Sequence, residues 1–309
     1  MDGLPISLAS EGGGTELATG FQRTLKAAIS CVGVGLHSGK RVTLTLRPAG
    51  VNQGIMFRRA DLRRDIPARH DQVIDTRLCT VLGDGGARVS TVEHVMAALS
   101  GCGIDNAIVE LDGPEPPALD GSAAQFVFLI DCAGVIEQDE PRSAIEIRRV
   151  VRVTEGDAFA ELRPGTCGLD MALSIDFAAA AIGRQALSLH LNTGTFRHDL
   201  ARARTFTLAE EIEQLRAAGL ALGGSLDNAV VVDRAKVLNP AGLRSPDEFV
   251  RHKLLDAVGD LALAGAPLVG RFVAHRSGHT LNNKLLRALF ADRSSWRETT
   301  STALSAAAA

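Results

Sequence analysis

The sequence predicts an α+β protein of two domains, on three observations. At 309 residues and 46% apolar content the chain is long enough for about two domains with sizeable cores. Strand-like and helix-like segments mix in both halves without the regular βαβ rhythm of a doubly wound sheet. The pattern restarts at residues 139–143 (DEPRS), which divides a first domain at 21–140 from a second at 144–296.

In the first half, 40–47 (KRVTLTLR) alternates Val42, Leu44 and Leu46 with Thr43 and Thr45, as a strand with one buried face does. A helix is expected over 91–100, where Val92, Val95, Met96 and Leu99 recur at helical spacing, and a strand over 107–111. Prolines keep the loop DGPEPPALDGS out of helix and central strand, and 123–132 reads as a second helix. The second half opens on an expected hairpin, 144–153 and 158–162 around the turn EGD, followed by strands at 169–177 and 185–191. Helices are expected over 196–203 and 208–218, then the loop GLALGG and a buried-type strand at 229–232. The helix that carries FVRHKLLDAVGD (249–260) has Ser245 as N-cap, Pro246 at its first position and Glu248 closing a capping box; Gly265 ends it. A strand at 267–275 and a helix at 281–290 complete the fold, and 1–20 and 297–309 read as flexible tails.

The totals exclude several classes. No apolar run approaches transmembrane length, so no stable membrane insertion is expected, and the start lacks the basic-then-apolar pattern of a signal peptide. Five cysteines without a C-x-x-C pair argue for a reducing compartment, the cytoplasm, and against a thiolate metal site. A net charge of −3 gives no bulk attraction to nucleic acid or anionic lipid.

Turning about 100° per residue, the helix through 249–260 places Leu254, Leu255, Val258 and Leu261 on one side and His252, Lys253, Asp256 and Asp260 on another. His252 and Asp256, at i and i+4, can grip one ion, although such pairs also serve as plain helix-surface contacts. A second set lies in STVEHVMAALS. Ser90 and Glu93 fit a capping box, yet Glu93 and His94 fall off the buried stripe. A Glu directly before a His is similar to the zinc hydrolase arrangement in which His binds metal and its Glu neighbour activates the metal-bound water. The usual second His at i+4 is replaced by Ala98, so His252 and Asp256 are the obvious completion. Two His and one carboxylate leave a position open, as catalytic rather than structural zinc requires. His279, in SGHTLNNK, stands at a strand-to-helix turn, where it either projects into a cleft or caps the helix. GVGLHSGK is neither G-x-G-x-x-G nor a P-loop, and no G-x-S-x-G elbow is present.

The segments GVGLHSGK, STVEHVMAALSG, GIDNAIVELDGPEPPALDGSAAQF, ARTF, GLALGGSLDNAVVVD, FVRHKLLDAVGDL and SGHTLNNKLL occur here in this order over about residues 22–296. In them the chain resembles the UDP-3-O-acyl-N-acetylglucosamine deacetylases, the LpxC family of lipid A biosynthesis in Gram-negative bacteria. The resemblance implies two similar α+β domains, each a β-sheet layered with helices that pack between the two sheets, and a small βαβ insertion at about 205–232. It implies a zinc ion (Zn2+) on His94, His252 and Asp256, Glu93 as general base, and His279 as general acid oriented by Asp260. Thr205 falls on a threonine that helps hold the carbonyl oxygen, and Lys253 on a lysine near the substrate. The insertion is expected to form an apolar passage for the fatty chain, with Phe206, Leu208, Ile212 and Leu215 along it. The implied substrate is acylated UDP-N-acetylglucosamine, with Arg276 standing where the family often has Lys before SGH. Relatives can offer an aromatic for the uracil near 167–171; here CGLDM has none, and the chain has no Tyr. Cys79 (RLCT) is expected to neighbour the metal rather than bind it. The rival readings are an amidase for another N-acetylated sugar nucleotide, or a non-catalytic zinc-bound sensor, which would leave Glu93, His279 and Asp260 without work.

Overall fold

The computed structural model describes residue 18 and residues 20–300; the expected tails at 1–17, 19 and 301–309 lie outside the described residues. The fold is α+β. Strands up to Pro141 pair among themselves, and so do those from Ser143 onward. The first set builds a five-stranded sheet in the order Ile29–Val34, Arg41–Pro48, Ala107–Leu111, Ile55–Arg59, Arg64–Pro67. Val42, Leu44 and Leu46 are buried, as the alternation in KRVTLTLR requires. A three-stranded sheet (Val73–Asp75, Val81–Asp84, Ala87–Val89) and the pair Phe21–Leu25 with Val135–Pro141 complete that half. The second set builds a seven-stranded sheet centred on Leu268–His275.

Helices α1 (Glu93–Gly101) and α2 (Ala124–Ala133) follow in the first half. The second carries the short α3 (Thr193–Thr195), α4 (Ala209–Ala217), α5 (Glu248–Ala262) and α6 (His279–Ala291). In α1 every residue except Ser100 is buried, and α1 lies against α5, so the two helices share one continuous core with the inner faces of both large sheets. A separate three-stranded sheet has Phe206–Leu208 parallel to Val230–Asp233, with α4 between them. No helix among the described residues is long and apolar enough to cross a membrane.

The structure corrects several expectations. The single strand expected over 144–153 is two, Ser143–Ile147 and Val151–Glu155, because the amide of Arg148 turns aside to donate to the Ser295 carbonyl. The helix expected at 196–203 is α3, capped by Asn192, running into one π-helical stretch at Phe196–Leu200. Neither capping box forms. Val92 and Asp247 hold the N-cap positions, and the Glu248 carboxylate is buried in an ion pair with Arg204 at 2.8 Å. Trp296–Thr300 is a strand paired with Ser143–Ile147, so 297–300 belong to the second sheet and not to a tail.

Candidate active site and metal centre

Packing α1 on α5 requires a small residue where the helices meet. Gly259 supplies it: a Cβ there would fall 2.0 Å from the Glu93 carbonyl oxygen. That approach brings His94, His252 and Asp256 together, each buried, with one donor atom apiece within 4.8 Å of the others. Asp256 Oδ1 lies 3.5 Å from His94 Nε2 and 3.3 Å from His252 Nε2. His252 Nδ1 donates to the Ala203 carbonyl at 3.0 Å, so Nε2 carries the lone pair that faces this point. Lys253 Nζ takes Asp256 Oδ2 at 3.0 Å. Asp256 Oδ1 is left buried without a hydrogen-bond partner, a costly state unless a cation uses it. Protonation agrees with ligation. Burial pushes His252 down to about 4, hence neutral. Burial opposes the charge on Asp256, but the imidazoles and ammonium around it hold its carboxyl well below the usual range.

Two further groups flank these three. Glu93 is buried, which raises its pKa, and its Oε2 accepts the Thr80 amide at 3.0 Å, so it does not cap its own helix. His279 is the first residue of α6; its Nδ1 meets Asp260 Oδ2 at 2.9 Å, which leaves Nε2 to the cleft. Burial works against a charge on His279, but Asp260 and then Glu93 overcome it and carry its pKa up to about 9. Asp260 is itself fixed by Thr80 Oγ1 at 2.5 Å and Asn282 Nδ2 at 2.9 Å.

Glu93, His94, His252, Lys253, Asp256 and His279 all line one cleft of about 670 Å³. Thr205, Phe206, Ile212 and Leu215 extend its wall. The Phe206 ring stands edge-on to His252 at 6.2 Å and under Lys253 Nζ at 5.6 Å. Leu208 is placed differently. It belongs to the strand before α4 and, with Arg276, lines an adjoining cleft of about 540 Å³ that also reaches Phe206, Lys253 and His279. Leu208 is extended backbone and the N-cap of α4, so it stands outside the helix on which Ile212 and Leu215 lie one turn apart. Cys79 is buried outside the metal-ligand set, its thiol pushed up to about 12 by burial.

The sequence matches the family model "LpxC: UDP-3-O-acyl N-acetylglycosamine deacetylase" over residues 22–291. The chain belongs to the LpxC family. It is 50% identical over 280 residues to the UDP-3-O-acyl-N-acetylglucosamine deacetylase of Actinobacillus pleuropneumoniae serotype 3, covering 89% of this chain and 92% of that one. The enzymes of the same name from Shewanella baltica OS155 and Shewanella oneidensis are each 51% identical over 281 residues, with the same coverage.

Sequence reasoning missed several supports of this LpxC-family site. Thr80 ties Glu93 to Asp260 across the helices, and Asn282 completes the hold on Asp260. Neither residue type is diagnostic in a sequence, because only the tertiary fold brings 80, 93, 260 and 282 together. The Arg204–Glu248 pair, with Ala203 accepting from His252, lays the segment before Thr205 along α5. The only hint was the charged residue in ARTF.

Proposed function

We propose that this chain hydrolyses the acetamide of UDP-3-O-acyl-N-acetylglucosamine to acetate and the free glucosamine, in the cytoplasm, as a zinc enzyme of lipid A biosynthesis. The observation that carries the reading is the buried, unpartnered Asp256 Oδ1 facing two imidazole Nε2 atoms, with Glu93 and His279 in the same cleft. Ligands of one tetrahedral zinc at about 2.0–2.1 Å would stand roughly 3.3–3.4 Å apart, close to the two separations found. His94, His252 and Asp256 would hold the ion, and Cys79 would not. Zinc bound there supplies Lewis acidity toward a water and the acetamide carbonyl.

The remaining steps fall to protein groups. Glu93, its pKa raised by burial, takes the proton of the attacking water. Thr205 donates to the carbonyl oxygen as charge develops on it, and Lys253 adds positive charge nearby. His279, protonated below about 9 and fixed by Asp260, gives its proton to the leaving nitrogen, since an amide anion is too basic to leave unaided. Arg276 and Lys253, in the adjoining cleft, suit a diphosphate. Ile212 and Leu215 suit a fatty chain in the larger one. In that division Leu208 serves the nucleotide side. Incubation with acylated UDP-N-acetylglucosamine, with acetate followed by mass spectrometry, tests the reading. No acetate from zinc-loaded protein would end it.

A further inference from the structure

The far wall of the larger cleft is made where two loops from different halves of the chain touch, and neither belongs to the metal centre. On one side Leu36 and His37 line the cleft; on the other, Ala221, Gly224 and Leu226 do. The amides of Leu222 and Gly223 donate to the His37 and Leu36 carbonyls at 3.2 and 3.0 Å, joining the loops like two rungs of a ladder. The fit is tight. A Cβ on Gly223 would lie 2.2 Å from the Gly35 carbonyl oxygen.

What keeps the 35–39 loop in this position is Glu115, from the proline-rich loop, which is 2% exposed. Its Oε1 accepts the Ser38 amide at 2.6 Å, and its Oε2 accepts the His37 amide at 3.2 Å and the Thr91 hydroxyl at 3.3 Å. These donors are neutral, so the carboxylate acts through acceptor capacity; a primary amide in its place would offer one oxygen where two are used. A Cβ on Gly35 would sit 2.1 Å from Glu115 Oε1, so the loop backbone rests directly on the carboxylate.

We propose that Glu115 is a specificity-determining positioning residue, which fastens the 35–39 loop as a strap onto the 221–224 turn and thereby closes the cleft around an acyl chain. The inference rests on the acyl-passage reading above. Loosening the strap opens the apolar wall to water while leaving the metal ligands in place, so long-chain substrates lose and unacylated ones do not.

The test compares wild type, E115Q and G223A in two measurements. Amide hydrogen exchange at 36–39 and 221–224 should speed up at least tenfold in both variants, with α5 unchanged. The kcat/KM for the long-chain substrate should fall at least tenfold, mostly through KM, while that for unacylated UDP-N-acetylglucosamine stays within about threefold. Unchanged exchange, or equal loss on both substrates, overturns the strap. Wild type that shows no preference for the acyl chain overturns the passage reading, whereas wild-type preference that survives in both variants overturns the role of Glu115 alone.

Discussion

Gly259 of α5 rests on the backbone of Glu93 in α1, so close that a methyl group would overlap the Glu93 carbonyl oxygen at 2.0 Å. The contact sets the separation of the two helices, and with it the reach of His252 and Asp256 toward His94. Gly259→Ala should force the helices apart, although the change raises helix propensity. We expect a loss of stability of about 1–3 kcal/mol from overpacking and at least a tenfold weaker zinc affinity, read by thermal melting and competition with a chromophoric chelator. Native zinc affinity in Gly259→Ala would show that the helices do not set the site.

The unpartnered Asp256 Oδ1 predicts a folded state that gains from metal. One zinc per chain is expected after gentle purification, and chelation should abolish activity that zinc restores. At a free zinc concentration of 100 times Kd, binding should add about 2.7 kcal/mol to stability. Full activity in metal-free protein would refute the assignment.

Glu93 and the ligands should separate in function. In Glu93→Gln the side-chain carbonyl can still accept the Thr80 amide, so fold and zinc content should hold. Turnover should fall by a factor of order 10² or more, the usual scale for a positioned base. Near-normal turnover would leave Glu93 a structural residue only.

His279 should set the alkaline side of the pH dependence. Its folded-state pKa, about 9, stands above the ordinary 6.5, so the proton is held more tightly in the folded chain. The stability this contributes is full below about 6.5 and is lost as the pH rises through 9. Activity that needs the protonated ring should fall over the same upper limb, at or below pH 9 when a bound cation adds its repulsion. Asp260→Asn removes the main group raising that pKa and should move the limb acidward. An unmoved limb in the pH–rate profile of Asp260→Asn would exclude His279 as its source.

Ile212 and Leu215 on α4 line the larger cleft, and no residue of α4 is buried. A helix with so little core packing tolerates change, so Ile212→Glu and Leu215→Glu should fold. Burying a methylene gains about 0.8 kcal/mol at most, so shortening the acyl chain by four carbons should cost wild type up to roughly 200-fold in kcat/KM. The Glu variants should flatten that dependence; a slope equal to wild type would place the chain elsewhere.

Much of this molecule was determined by local chemistry that a sequence displays. Alternation in KRVTLTLR and helical spacing in STVEHVMAALS and FVRHKLLDAVGD place the central elements within a few residues, because burying one face demands those periods. The same spacing puts His252, Asp256 and Asp260 on one face of α5. Tertiary structure decided what depends on distant partners. Glu93 and Glu248 look like helix caps in sequence, yet each carboxylate is drawn into the interior by a better donor, the Thr80 amide and the Arg204 guanidinium. Leu208 shares its helix-like spacing with Ile212 and Leu215, yet pairing with Val232 makes it strand, and it lines the adjoining cleft instead. Strand pairing and buried charge are settled between residues far apart in the chain, and a local pattern holds no record of which partner will be near.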